Sequence, residues 1–263
     1  MRRFDADYLD ATREGMWADS REALAPLELD TRERVLDVGC GTGKLTAVLA
    51  EESDGEVVGL DADPGLLAHA REVGPVVAGD ATRLPFPDDS FDLVVCQALL
   101  INLPDPAAAV REFARVSRDA VAAVEPDNSL VTVESTVDTE SRLAAKAREA
   151  YLAGVDTNVA LGADARDLFT TAGLTDVRTR RYDHARSVAP PYDQAALEAA
   201  TRKASGAGLA SDAGEIRKTL SDAEYDDLRA AWREMGRAVI EQMQDEAYRR
   251  TETVPFFVTV GRT

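Results

Sequence analysis

The chain has 263 residues and carries 30 basic against 48 acidic side chains, a formal charge of −18. With 45% apolar residues it can bury a core, which excludes wholesale disorder, and its length suits one or two α/β domains. A field this negative repels phosphate backbones, so a nucleic-acid partner is not expected.

In chain order, residues 5–25 form an expected amphipathic helix, with Tyr8, Leu9, Met16, Trp17 and Leu24 as its apolar members. Arg34 to Val38 is a short apolar strand that runs into Gly39-Cys40-Gly41-Thr42-Gly43. A helix over 43–52 repeats Leu45, Val48 and Leu49 at helical spacing. Glu56 to Leu60 is a second strand, ending at Asp61, and Pro64 suits the first turn of a helix that runs to Arg71. Val76 to Gly79 and Phe91 to Cys96 are the third and fourth strands. A helix over 106–117 leads to a fifth strand, Ala120 to Val124. Beyond Pro126, helices are expected over 138–153 and 161–172, and a strand over Asp176 to Asp183. A mostly helical insert of about 190–250, broken at Gly206-Ala207-Gly208, precedes a last strand from Val254 to Arg262. Strands that alternate with helices and read as continuous apolar runs predict a parallel sheet covered on both faces.

The strongest chemical signal is the bend after the first strand. Glycines remove Cβ and let the backbone approach a ligand closely. No Lys-Ser/Thr pair follows at P-loop spacing, and Lys44 stands where the dinucleotide fingerprint wants a third glycine. Asp37, just before the bend, would repel a pyrophosphate and welcome a cation. Asp61 ends the second strand about 20 residues after the bend, the position from which a carboxylate accepts from ribose hydroxyls. Asp80-Ala81 follows the third strand and could accept from the exocyclic amine of a base, while Cys96-Gln97 ends the fourth. Ligands of open α/β sheets bind at the carboxyl ends of the strands, so four consecutive strand ends point at one crevice.

Val35 to Gly43, Asp61, Gly79-Asp80-Ala81, the segment Leu84 to Asp92 and Leu103-Pro104-Asp105 resemble the class I S-adenosylmethionine-dependent methyltransferases. The likeness runs from about 30 to 127 and is greatest to the small-molecule branch with the ubiquinone and menaquinone methyltransferases. It implies a Rossmann-like, doubly wound, seven-stranded sheet of order 3-2-1-4-5-7-6 with the last strand antiparallel. It also implies S-adenosyl-L-methionine as cofactor and a small-molecule acceptor. Carried over by position, Gly39, Gly41 and Gly43, with Cys40 and Thr42 between them, would flank the methionine part. Asp37 would orient the bend or meet the amino group. Asp61 would hold the ribose hydroxyls with Ala62 beside the adenine, Asp80 would accept from the adenine amine with Ala81 near the ring, and Cys96 and Gln97 would contact the methionine end. Ile101-Asn102 stands where the family often carries His, and Ser117-Arg118-Asp119 replaces the usual Lys-Pro-Gly-Gly turn before strand five.

No Ser-His-Asp set, carboxylate pair or metal constellation stands out, so no catalytic residue is assigned and no metal is expected. Of the two histidines, His69 reads as a surface residue, while His184 follows the sixth strand near where a substrate cover would attach. Tyr8, Tyr151, Asn158, His184 and Tyr192 are candidate substrate-side residues. Arg178, Arg180 and Arg181 could face an anionic substrate, or form a solvated edge that blunts aggregation. The expected organisation is one methyltransferase domain over 1–263: a cap over 1–30, a cofactor core over 31–127, substrate-side elements over 128–253 and a last strand over 254–263. The insert could instead build a homodimer interface. Two rival readings are a cofactor-binding regulator without turnover and a dinucleotide-dependent enzyme.

Asp and Glu accompany 26 Arg but only 4 Lys, which suggests a high-salt cytoplasm, where screening lengths of ~3 Å suppress self-repulsion. The longest apolar run, Leu93 to Ile101, is interrupted by Gln97 and is far shorter than the ~20 residues of a membrane span. No apolar segment follows Met1-Arg2-Arg3, so no signal peptide is expected. Cys40 and Cys96 are too few for a disulfide framework, which fits the cytoplasm.

Overall fold

The computed structural model describes Met16, Trp17 and residues 20–263. The chain divides into two compact units, one comprising Met1–Asp127, Leu161–Tyr182 and Pro255–Thr263, the other Asn128–Ala160 and Asp183–Val254.

The first unit is built on parallel strands. These are β1 (Arg34–Val38), β2 (Glu56–Asp61), β3 (Val76–Ala78), β4 (Phe91–Gln97) and β5 (Ser117–Pro126). Their crossovers contain α1 (Lys44–Glu52), α2 (Pro64–Ala70) and α3 (Pro106–Val116). Aspartates supply N-caps where the sequence places proline at the first helical turn: Asp63 Oδ1 accepts from Gly65 N–H at 2.8 Å, and Asp105 Oδ1 from Ala108 N–H at 2.9 Å. β4 is buried at all seven residues, as a central strand covered on both faces must be. Leu36, Phe91, Val94, Phe113, Val121 and Phe169 are fully buried in this core. Arg115 of α3 donates to the carbonyls of Phe86 and Leu84 and to Asp88, and so pins the Leu-Pro-Phe-Pro-Asp segment to the helix.

The sheet order is β3-β2-β1-β4-β5-β8-β6, with β7 (Thr175–Val188) also on β8 (Arg250–Arg262) and β6 at Thr132–Ser135. β8 runs antiparallel to β5, with Val124 opposite Val258. The expected α/β Rossmann-like order is therefore present, with the two C-terminal strands longer than expected and β6 added. Ser117-Arg118-Asp119 is part of β5 itself rather than a loop: α3 ends at Val116, and the register with β4 shifts between Phe91 and Leu93. Of the expected N-terminal helix, the described part, Arg21–Leu27, is a 3-10 helix. Pro26 inside it disfavours α geometry at the preceding residue, and Glu28 beyond it is left-handed at φ +54°. Residues 5–15, Tyr8 among them, lie outside the described residues.

In the second unit, α4 (Glu140–Gly154), α6 (Gln194–Ser205), α7 (Ala207–Ser211), α8 (Ala213–Ile216) and α9 (Asp222–Gln244) enclose Leu143, Ile216, Tyr225, Leu228, Met235 and Val239; α5 (Ala165–Thr171) belongs to the first unit. Gly206 breaks the helical insert at φ +77°, as its sequence suggested. A Cβ at Gly236 of α9 would lie 2.3 Å from Ala204 N of α6, so these helices touch backbone to backbone. A charged cluster is buried here. Glu140 accepts from Ser135 Oγ at 2.6 Å and Tyr248 OH at 2.9 Å, and pairs with Lys203 and Arg250; Glu252 pairs with Arg250 and Arg186. Burial pushes the carboxyl of Glu252 up, but the two guanidiniums outweigh it and bring it down to about 2.

Candidate functional site

The bend after β1 takes its shape from three left-handed glycines, Gly39 (φ +73°), Gly41 (φ +57°) and Gly43 (φ +88°). Side chains with a Cβ rarely adopt this backbone, so glycine here is a conformational requirement. The bend is tied to β2. Gly39 and Cys40 N–H both donate to the Leu60 carbonyl, at 2.7 and 3.0 Å, and Gly41 N–H donates to Asp61 Oδ2 at 2.9 Å. The other oxygen of Asp61 accepts from Asp63 N–H at 2.8 Å. One carboxylate thus clamps the loop leaving β1 and the loop leaving β2.

Asp37 is buried and accepts from Thr46 Oγ1 of α1 at 2.7 Å. It lines a small, half-open cavity together with Gly39, Cys40, Lys44, Leu45 and Gln97. Asp61 is half-buried at the end of β2, while Ala62 and Asp80 are exposed. Asp80 Oδ1 accepts from both Thr82 N–H and Thr82 Oγ1 at 2.8 Å, and these bonds hold its carboxyl below the ordinary range. Ala81 is buried in the core beneath. Asp61 and Ala78, the residue two before Asp80, are register partners, so both carboxylates stand on one edge of the sheet.

The structure thus brings Asp37, Gly39, Cys40 and Gln97 to one cavity and leaves Asp61, Ala62 and Asp80 on the open rim beyond it. Gly41, Thr42 and Gly43 build the bend but do not line the cavity. Cys96 is not in it either. Successive strand residues face opposite sides, so while Gln97 faces the cavity the fully buried Cys96 turns its Sγ to Glu125 Oε1 at 3.7 Å. Burial, first, and then Glu125 and Asp37 push its thiol well up, so it stays protonated. Cys40 Sγ packs over β2 and requires Gly59 there, since a Cβ would lie 2.9 Å away. Gln97 Nε2 donates to Met16 Sδ at 3.0 Å; Met16 and Trp17 are both buried, and the Trp17 indole N–H has no hydrogen-bond partner among the described residues.

The substrate-side candidates are dispersed. Tyr151 and Tyr192 pack against the second unit's core, and Tyr192 OH donates to the Tyr248 carbonyl at 3.0 Å. Asn158 is exposed and caps a turn through Ala160 N–H at 3.2 Å. His184 is buried on β7, and His69 is exposed on α2. Arg178, Arg180 and Arg181 are exposed on β7. Sequence reasoning missed Lys44 and Leu45, which enter the cavity as the first turn of α1, and Glu125. Glu125 ends β5 as Asp61 ends β2, so the same strand-end argument could have found it.

Residues 36–123 match a family model described as a methyltransferase domain. A demethylmenaquinone methyltransferase of Mycobacterium sp. (strain KMS) is 37% identical over 151 residues, covering 56% of this chain and 61% of that one. One from Mycolicibacterium vanbaalenii is 39% identical over 153 residues, covering 56% and 62%. The chain thus spans about three-fifths of the length of these curated relatives. In fold, it is similar to the YcgJ protein of Bacillus subtilis, with a TM-score of 0.53 at 16% identity over 92% of this chain and 98% of that one. By sequence match over residues 36–123, sheet order and the glycine bend, this chain is similar to proteins with a methyltransferase domain and shares their Rossmann-like fold.

Proposed function

We propose that this chain transfers a methyl group from S-adenosylmethionine to a small-molecule acceptor. The observation that carries this is the donor set at the rim: a buried carboxylate and an amide around a small cavity, and two further carboxylates along the adjoining strand ends. These residues fit the cofactor's chemistry. Asp37 and Gln97 would meet its ammonium group, with Lys44 on the same cavity suited to its carboxylate. The Asp61 carboxylate would accept from the ribose hydroxyls beside Ala62, and Asp80 would accept from the adenine amine, near Ala81. The cofactor supplies a methyl already activated by its positively charged sulfur. The protein's own part is positioning: the glycine bend excludes side chains from the reacting end, and Asp37, held by Thr46, fixes one anchor. An acceptor that must lose a proton would also require a base.

The relatives above are named for demethylmenaquinone, which makes a quinone precursor the first acceptor to assay. Among the described residues no helix is long and apolar enough to cross a membrane. The charge of −18 supports an acceptor other than a nucleic acid, and with 26 Arg against 4 Lys it supports adaptation to concentrated salt. Calorimetric titration with S-adenosylhomocysteine and with NAD tests the reading. Binding of the first alone is expected, and binding of NAD alone would overturn it. Turnover of labelled S-adenosylmethionine on a metabolite extract separates an enzyme from a cofactor-binding regulator.

A further inference from the structure

Glu125 is fully buried at the end of β5. Its Oε1 accepts the backbone N–H of Leu99 at 3.0 Å and of Leu100 at 2.8 Å; its Oε2 accepts that of Ile101 at 3.4 Å. Three consecutive donors of the turn after β4 thus converge on one carboxylate. Among the described residues no cation pairs with it, so oriented N–H groups do the work that a counter-ion would otherwise do.

The turn it holds is an unfavourable one. Ala98 sits at φ +49°, left-handed without being glycine, and is fixed by its N–H to the Val124 carbonyl at 2.9 Å and by Asn102 Nδ2 to its own carbonyl at 2.8 Å. What the turn delivers is Leu99. A Cβ on Gly39 would lie 2.8 Å from Leu99 Cδ1, so the Leu99 side chain rests directly on the first glycine of the bend. Gln97, just before the turn, and Gly39 both line the cavity.

We propose that Glu125 is a positioning residue of the cofactor site: by holding the 99–101 turn, its carboxylate sets Leu99 against Gly39 and so shapes the bend that receives the cofactor. This rests on the cofactor reading given above. The ionised form accepts from all three donors, whereas a carboxamide or a protonated carboxyl turns one of its two heteroatoms into a donor that faces the Ile101 N–H. The charge state is sensitive to pH. Burial raises the carboxyl of Glu125 to about 7, against the lowering effect of the Leu100, Ile101 and Leu99 N–H groups. The titratable groups that face it are few. β4 presents Cys96, which stays protonated, and behind it Asp37 of β1; the turn presents backbone, and β8 places Phe257 opposite in register.

The test is the affinity for S-adenosylhomocysteine, by calorimetry from pH 6 to 8.5, for the wild-type chain and Glu125→Gln, with circular dichroism as the folding control. Wild-type affinity is expected to fall about tenfold from pH 8 to 6, as one pKa unit of linkage gives. Glu125→Gln should bind about tenfold more weakly at pH 8 and show no such slope. Amide exchange of Leu99, Leu100 and Ile101 in the wild type, corrected for intrinsic rates, should lose protection below pH 7 whether or not the variant folds. A flat wild-type profile, unchanged protection, or a variant that keeps both affinity and slope would each overturn the proposal. Absence of binding by the folded wild type at every pH would overturn the cofactor reading, and this one with it.

Discussion

Asp61 is the side chain whose removal discriminates most sharply. It accepts two backbone N–H groups, from Gly41 and Asp63, at 2.9 and 2.8 Å, and its remaining lone pairs are those proposed to meet the ribose. Asp61→Ala therefore removes two effects of different kinds. Losing the charge-assisted bonds to a ligand costs about 1.5–3 kcal/mol, or about 10- to 150-fold in affinity. Losing the two loop clamps, in a half-exposed setting, costs about 1–3 kcal/mol of stability. Denaturant melting reports the second and calorimetry with S-adenosylhomocysteine the first. Asp63→Ala is the matched control. It removes the N-cap of α2, at about 1 kcal/mol, and should leave affinity within twofold. A folded Asp61→Ala variant that binds within twofold of wild type would remove Asp61 from the site. Equal loss of affinity in both variants would mean that the loop, not the carboxylate, binds the cofactor.

Gly39→Ala forces a left-handed alanine, at about 1–2 kcal/mol, and drives its Cβ against Leu99; affinity for S-adenosylhomocysteine should fall and return in part with Leu99→Ala, and no rescue by the double variant would refute the contact. In the second unit, Glu140→Ala strands Lys203, Arg250 and Tyr248 around an empty centre and should cost about 3–5 kcal/mol in urea melts, whereas a loss under 1 kcal/mol would show the cluster to be solvated. Stability should depend on pH in two opposed windows. Glu252, lowered to about 2 when folded, contributes about 3 kcal/mol that is present above its ordinary value near 4.5 and is lost as pH falls towards 2; Glu125, raised to about 7, imposes a penalty of similar size that is full above 7 and fades as pH falls towards 4.5. Melts across pH 3–9 should show Glu125→Gln flattening the upper window alone, and a wild-type profile flat from 5 to 8 would refute the assignment. Circular dichroism in dilute buffer against molar salt tests the acidic surface: unfolding at low salt is expected, and full stability there would end the high-salt reading.

The sheet was legible because its signals are local. Apolar strand runs, Pro64 and Pro106 at helix starts, and glycines at alternate positions each state a backbone preference that tertiary packing had no reason to override. Legibility failed where a residue's meaning depends on a distant partner. Cys96 and Gln97 are adjacent, and only the facing of β4 decides that Gln97 reaches the cavity while Cys96 meets Glu125. β6, at Thr132–Ser135, is four residues paired to the far end of β8, with neither length nor apolar pattern to announce it. Tyr151 and Tyr192, read as substrate-side residues, pack against the second unit's core, and aromatic rings suit walls and cores alike.

The carboxylates of the rim share a feature that changes how such sites should be read from sequence. Asp37 accepts from Thr46, Asp61 from Gly41 and Asp63, Asp80 from Thr82, and Glu125 from the turn at 99–101. Each satisfies backbone or hydroxyl donors of the loop or helix turn that follows a strand, and on the proposed reading Asp37, Asp61 and Asp80 offer a ligand only what remains of their acceptor capacity. Acidic side chains recur at these positions because the carboxyl ends of parallel strands release chain whose N–H groups have left the ladder and need short, strong acceptors. On the proposed reading, the same anions supply, at the same edge, the negative field that a sulfonium and an ammonium require. If the proposed site holds, loop construction and cofactor recognition are one electrostatic arrangement and a substitution at Asp61 or Glu125 changes both, so only measurements that separate stability from affinity can assign either role.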